Sequence, residues 1–322
     1  MKILKKFLLT ASLVFVAAAP TLAQTYPTKP VKLVVPFPAG GGTDIVSRLI
    51  AQKLADVWQQ PVVIDNKPGA NTLIGTEYVA NAPADGYTLL MASPSHTINA
   101  SLYKNIKFNT QKAFVGVAVV ASGPLALVVN QAVPAQNVRE LVALAKAKPG
   151  TISYASAGTG SSPHLAGELF EYLAGVDMLH VPYKGTAPAT TDLVGGQVQA
   201  AFSPLAGVLP HILSGKLRAL ALTSPKRLAA MPNVPTIAES GIPGYDVQQW
   251  WGIVAPSGTS NEILKKISAD VAKILQMSSV QEQIAKIGAE PGQASPEQLD
   301  ALIRKEIVQW KTIIEAANIV AE

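Results

Sequence analysis

Cysteine is absent from all 322 residues, which excludes a disulfide framework and thiolate metal sites. Histidine is nearly as scarce. The four present show neither H-E-x-x-H nor close paired spacing, so a zinc centre is not expected. Charged residues make up 15% of the chain and aromatic ones 6%, against 48% hydrophobic, a balance that suits a large core held by packing. The sequence has no internal repeat and no low-complexity tract.

Only the N-terminus carries a sustained apolar run. Lys2, Lys5 and Lys6 precede the stretch Phe7 to Ala19, and Thr21-Leu22-Ala23 follows with small residues at signal-peptidase positions. That run is short for a bilayer span and has no stop-transfer flank, so residues 1–23 read as a secretory signal cleaved near Ala23. The expected location is a periplasm. Losing this leader removes three lysines and no acids, which lowers the formal charge from +5 to +2. Few basic clusters remain, so nucleic acid is not an expected partner. A small positive excess suits an anionic solute.

About 300 residues then remain, enough for about two domains. Short β-branched runs alternate with amphipathic helical stretches. VKLVV (31–35) precedes a helix from Thr43 to about Trp58, in which Val46, Leu49, Ile50, Leu54 and Val57 mark one face. VVID (62–65) and YTLLMA (87–92) each precede a further helix. A second set starts at LALVV (125–129) and includes TISYAS (151–156), VQAAF (198–202) and LRALAL (217–222). This pattern predicts an α/β fold of two lobes with parallel sheets covered on both faces. Lobe one is expected over 24–124 plus approximately 236–322, and lobe two over 125–235. The two chain crossings would then form a hinge. WWGIVAP (250–256) reads as the returning strand.

Each lobe offers one unusual loop between a strand and a helix. PFPAGGGTD (36–44) holds Phe37, Pro38, Ala39, Gly40, Gly41, Gly42, Thr43 and Asp44. SAGTGSSPH (156–164) holds Ser156, Gly158, Thr159, Gly160, Ser161, Ser162 and His164. Glycine lets backbone N–H groups approach a ligand closely, and a helix start adds orphan donors and partial positive charge. Two such loops on corresponding elements favour anion capture over mere tight turns. Neither has the G-x-x-x-x-G-K-[ST] spacing of a phosphate loop, and the second lacks the third glycine of G-x-G-x-x-G. YASAG around Ser156 lacks the first glycine of a nucleophile elbow, although a hydrolase using Ser156 or Ser161 stays open as a rival. Asp44 either stabilises the helix dipole or receives a ligand ammonium.

These stretches together resemble the Bug family, the extracytoplasmic solute receptors of tripartite tricarboxylate transporters. The likeness runs through YPTKPVKLVVPFPAGGGTD (26–44), QPVVIDNKPGA (60–70), DGYTLLMAS (85–93), ELVALAKAKPGTISYASAGTGSSPHLAGELF (140–170), HVPYKGTAPATTDLVGGQV (180–198), GKLRALALTSPKR (215–227), VPTIAESGIPGY (234–245) and WWGIVAPSGT (250–259). It implies a two-lobed periplasmic-binding-protein (Venus flytrap) fold, type II-like, that closes on a small carboxylate. A di- or tricarboxylate, an acidic amino acid or an aromatic acid would fit that description. The resemblance also implies no catalytic residues, no cofactor and no metal, a monomer, and delivery to two integral-membrane transporter subunits. A sensor for a signalling partner would use the same site.

Through the resemblance, further ligand positions are expected at Ser93, Ser95, His96 and Asn99 in SPSHTIN. Lys184 and Gly185, after Tyr183, and Ser203, before Pro204, join them. These fall beyond strand ends, where ligands of open α/β sheets collect. Trp250 and Trp251 are expected to pack at the returning strand. The chain departs from the family after KPGA, where Asn71 and Thr72 stand in place of glycine, and over KFNTQKAFVGV (107–117).

Overall fold

The computed structural model describes residues 26–293, 295–316 and 319–320. The expected signal segment 1–23 lies outside them. Apolar runs too short for a helix form strands, and the amphipathic stretches after them form helices. In chain order these are β1 (Val31–Val35), α1 (Gly42–Trp58), β2 (Val62–Asn66), α2 (Leu73–Ala80), β3 (Thr88–Ala92), α3 (Pro94–Leu102) and α4 (Thr110–Ala113). A 17-residue strand, β4 (Phe114–Asn130), leads into the second lobe. There follow α5 (Val138–Ala147), β5 (Ser153–Ser156), α6 (Ser162–Ala174), β6 (Leu179–Pro182), α7 (Thr186–Val194), β7 (Ala200–Pro204), α8 (Leu205–Leu213) and β8 (Leu217–Leu222). The chain returns as β9 (Gln248–Pro256) and ends with α9 (Asn261–Leu275), α10 (Ser278–Lys286), β10 (Glu290–Pro291) and α11 (Pro296–Ala316).

The strands lie in the order β2-β1-β3-β9-β4-β7-β5-β6, with β8 and β10 also paired to β4. Within each lobe the expected parallel pairs are present: β1 with β2 and β3, and β5 with β6 and β7. The crossing strands differ from expectation, because β9 runs antiparallel to β3 and β4, and β4 antiparallel to β7 and β8. A strand that continues straight from one sheet into the next, rather than through a helical crossover, has no reason to be parallel to its neighbours.

β4 is where the sequence reading stopped short. Residues 125–129 were expected as a strand, whereas the strand begins at Phe114. Gly116, Gly123 and Pro124 break the apolar run, and two register shifts against β9 absorb the irregularity. Up to Pro124 the strand pairs with β9; from Leu125 it pairs with β7 and β8. We therefore propose that the first crossing lies between Pro124 and Leu125. The second sits at Val247–Gln248, where the Val247 N–H donates to Thr223 O and Gln248 pairs with Pro124.

Helices cover both faces of each sheet. Val46, Ile50 and Leu54 of α1 join Ile267, Val271 and Ile274 of α9 in one core of the first lobe. Leu165, Ala166 and Phe170 of α6 build the main core of the second with Leu141 of α5. Ile237, Ile242, Tyr245 and Val247 also join that second core, and the Tyr245 hydroxyl donates to Ala166 O. We therefore propose that the lobe division drawn from the sequence at about residue 235 moves to Gln248. Among the described residues, no helix is long and apolar enough to cross a membrane.

Candidate functional site

The first glycine loop is held from below by Asp44. That residue is 2% exposed, and its side chain accepts four hydrogen bonds: from Gly40 N–H at 2.9 Å, Arg48 Nε at 2.8 Å, Arg48 Nη2 at 3.0 Å and Asn66 Nδ2 at 2.9 Å. Asn66 Nδ2 also donates to Phe37 O at 3.0 Å. Burial would raise the Asp44 pKa, but the bonds from Arg48, Gly40 and Asn66 outweigh it and hold the carboxyl below its usual range. With all its lone-pair sites occupied, Asp44 has none left for a ligand ammonium, which corrects the sharper of the two sequence expectations. It shapes the loop instead. Asp44→Ala leaves the Gly40 amide and Arg48 without this acceptor, and is expected to cost about 2 kcal/mol in urea unfolding. An unchanged midpoint would show that the brace is idle.

The second loop rests on a buried polar network. Ser156 Oγ lies 2.7 Å from His180 Nε2 and accepts the Gly158 N–H at 3.0 Å. Gly160 N–H donates to His164 Nδ1 at 3.1 Å, so that nitrogen carries no proton and Nε2 faces Glu168 Oε1 at 3.3 Å. Tyr154 OH donates to the same Glu168 oxygen at 2.8 Å, and the His164 and His180 rings stack with centroids 4.0 Å apart. Burial and the neighbouring His164 push the His180 pKa down to about 4. The Ser156–His180 contact superficially matches a nucleophile and its base. Glu168, however, bonds His164 rather than orienting His180, and Ser156 is only 2% exposed. Ser161 Oγ caps α6 by accepting the His164 N–H. These hydroxyls support a loop.

The loops meet across the gap between the lobes, around a chamber of about 20 Å³. Its walls contain Gly41 and Thr43 at the start of α1, Ser93 and Ser95 at α3, Ser161 and Ser162 at α6, Thr186 at α7 and Pro204 at α8. Five helix N-termini therefore point at one small space, three more than the glycine loops revealed. Each brings N–H groups without intrahelical partners and a partial positive charge. Among the described residues lining the chamber, none is charged. An anion is the guest such a surface favours.

The chamber opens into a cavity of about 560 Å³ that shares Phe37, Pro38 and Ala157 with it. Pro36, Pro68, the loop Gly69–Thr72, Tyr103, Gly158, Thr159, Tyr183, Lys184 and Gly185 complete the larger wall. Lys184 is its charged member among the described residues. Close approaches mark the lobe contact. A Cβ on Gly185 would stand 2.7 Å from Pro38 Cδ, and one on Gly41 would stand 2.6 Å from Thr186 Oγ1.

The remaining expected positions sort by contact. Ala39, Gly40, Gly42, Asp44, Ser156, Gly160 and His164 line neither cavity and act behind the surface. Thr43 Oγ1 accepts Trp251 Nε1 at 3.1 Å, which fixes both residues and agrees with a packing role for Trp251. His96 is 4% exposed, sits edge-on to Phe114, and reaches neither cavity. Both its ring nitrogens lack partners, and burial lowers its pKa to about 4. Asn99 lies beneath the Asn71–Thr72 loop, and Ser203 Oγ is buried without a partner. Sequence reasoning missed Arg48, Asn66, His180, Thr186 and Gln249. Only Arg48 carried a signal, its i,i+4 spacing from Asp44. Gln249 Oε1 accepts the Ser162 hydroxyl at 2.7 Å where β9 crosses between the lobes. Among the described residues, no group of three His, Cys, Asp or Glu could hold a metal ion.

Two α/β lobes on crossing strands, with a chamber lined by helix N-termini between them, match a solute-binding receptor rather than an enzyme. The family described as "Tripartite tricarboxylate transporter family receptor" matches residues 46–319. Protein BugT of Bordetella pertussis (strain Tohama I) is 40% identical over 299 residues, 92% of each chain. The solved structure of R. palustris Rpa4515 with adipate has a TM-score of 0.90 and 38% identity, covering 92% of this chain and all of that one. MatC from Rhodopseudomonas palustris with bound malate has a TM-score of 0.85 and 32% identity, covering 90% of this chain and all of that one. The chain belongs to the TctC-like Bug family of tripartite tricarboxylate transporter receptors. Members are periplasmic receptors for small carboxylates that work with transporter components, and they are not enzymes.

Proposed function

We propose that this protein captures a small carboxylate between its lobes in the periplasm and, once shut, hands it to two integral-membrane transporter subunits. It acts as a monomer, after cleavage of its leader near Ala23. The convergence of five helix N-termini on an uncharged chamber carries the reading, because it supplies amide donors for acid oxygens and no side-chain counter-charge. The adjoining cavity of about 560 Å³ accommodates the body of a dicarboxylate, tricarboxylate, acidic amino acid or aromatic acid. Lys184 offers a point charge to a second anionic group. The adipate and malate of the solved relatives support the same chemistry.

Closure links the parts. A charged hydrogen bond contributes about 1.5–3 kcal/mol, so three or four, less ordering and desolvation costs, support micromolar binding at about −8 kcal/mol. Contacts made only in the shut form shift the population toward it. A thermal-denaturation screen of small carboxylic acids tests this. At about 100 times its dissociation constant, the specific ligand is expected to add about 2.7 kcal/mol of stability. If no acid shifts the transition while another solute class does, the reading is wrong.

A further inference from the structure

The two spaces between the lobes differ in what they leave for a guest. About 10–15 Å³ of cavity seats one water. The chamber of about 20 Å³ therefore admits a carboxylate head and nothing broader. Whatever carries that head lies in the adjoining cavity of about 560 Å³. That volume is within the range of about 300–1,000 Å³ usual for drug-sized ligands. A four-carbon acid would leave most of it to water.

The wall of the larger cavity is apolar for two reasons. The first is composition: Pro36, Phe37, Pro38, Pro68, Tyr103 and Tyr183 bring rings from four segments of the chain. The second is that polar atoms beside those rings are already engaged within the protein. The Tyr183 hydroxyl donates to Asp192 Oδ2 at 2.8 Å, and the Tyr103 hydroxyl donates to Thr159 O at 3.4 Å. Phe37 O accepts Asn66 Nδ2 at 3.0 Å, and the Gly158 N–H donates to Ser156 Oγ at 3.0 Å. The Gly69 and Ala70 carbonyls accept the N–H groups of Ile74 and Leu73. Lys184 also lines the cavity but is exposed, so water and salt screen what it offers a second acid group. Free amide donors thus gather at the chamber, and ring surface at the cavity.

We propose that the guest this site selects is a carboxylate borne on an aromatic ring, with Tyr103 and Tyr183 as specificity-determining residues. This rests on the carboxylate-receptor reading and narrows it. The ring covers wall that a short acid leaves wet, and removing that apolar area from water favours binding. Aromatic side chains add edge-to-face or offset-stacked contacts that an alkyl chain does not make. A ring also arrives stiff, whereas an alkyl chain loses torsional freedom when held. A second carboxylate on such a chain gives up its water against this wall for one screened lysine.

Calorimetric titration with benzoate, phenylacetate and cinnamate, set against hexanoate, adipate and malate, tests the proposal. The tightest ring acid is expected to bind at least about tenfold more tightly than the tightest of the other three. The double variant Tyr103→Leu with Tyr183→Leu keeps apolar bulk but removes both rings. It is expected to reduce that ratio below about threefold. The double variant Tyr103→Phe with Tyr183→Phe keeps the rings and should retain the full ratio. Should the leucine pair not fold, the two single leucine variants carry the same test. A ratio below tenfold in the natural protein overturns the proposal. So does a ratio that survives the leucine substitutions or is lost with phenylalanine. Each of these results leaves the receptor reading standing. If none of the six acids and none of the wider screen binds, the receptor reading fails and the proposal with it.

Discussion

Gly41→Val is expected to lose at least a hundredfold in carboxylate affinity while the ligand-free protein stays folded. Gly41 has φ of −81° and ψ of 168°, an extended conformation open to any residue, so the backbone does not object to valine. The obstacle is space on the far side. The new Cβ would lie 2.6 Å from Thr186 Oγ1, in a chamber of about 20 Å³. Thr186 can turn its hydroxyl aside for one methyl group. It has no comparable freedom against a branched side chain with Pro38 and Ser162 also at the wall. In an open form residue 41 faces solvent and the conflict vanishes, so the cost falls on closure. The measurements are calorimetric affinity and the melting temperature without ligand. A hundredfold loss should cut the ligand stabilisation from about 2.7 to about 0.4 kcal/mol at a concentration that previously gave the larger value. Undiminished binding would place the guest outside this chamber.

Glu306→Gln is expected to make the protein more stable at alkaline pH and to leave it nearly unchanged at about pH 4 and below. Glu306 Oε1 accepts Trp250 Nε1 at 2.9 Å, and Oε2 lies 2.8 Å from Thr97 Oγ1. That hydroxyl also lies 2.7 Å from Pro94 O, which only accepts. One hydroxyl proton cannot serve both oxygens, so the arrangement is complete when Glu306 itself carries a proton toward Thr97. Burial, opposed by the bonds from Thr97 and Trp250, raises its pKa to about 7. The folded state therefore holds this proton through a range where the unfolded chain has released it. Stability from Glu306 is present below the usual carboxylate range and is lost as pH rises through 7. Glutamine mimics the neutral acid, with its NH₂ on Thr97 and its oxygen on Trp250. The advantage of the variant should grow to roughly 3 kcal/mol by pH 8.5. His96 and His180, both lowered to about 4, tilt the pH profile the other way but are common to both proteins. A difference that does not change between pH 5 and 8.5 refutes the assignment.

Much of the first lobe could be anticipated because its signals are local. Val46, Ile50 and Leu54 repeat at helical spacing, and all three are buried. VKLVV is a strand over the residues expected, and so is LRALAL in the second lobe. The helices α7 and α8 escaped notice because Pro188 and Pro210 interrupt them, and a proline reads locally as a break. The early half of β4 escaped for a related reason, since Gly116 and Gly123 look like turns until β9 is beside them.

The two glycine loops were visible because glycine before a helix start has a backbone meaning that needs no partner. His180 had no such mark. It meets Ser156 through the register of β6 beside β5, 24 residues apart in the chain. Thr186, Pro204 and Gln249 come to the chamber from separate elements, and no spacing ties them to Gly41.

The chain alone therefore determined its alternation of strands and helices, and two sites where glycine-rich turns meet a helix start. All of these depend on residues near each other along the backbone. Folding in three dimensions decided that Asp44 faces inward and that three more helices aim at the same chamber. Those outcomes depend on which neighbour claims each donor and acceptor first, and the neighbours come from strands and lobes far apart in sequence.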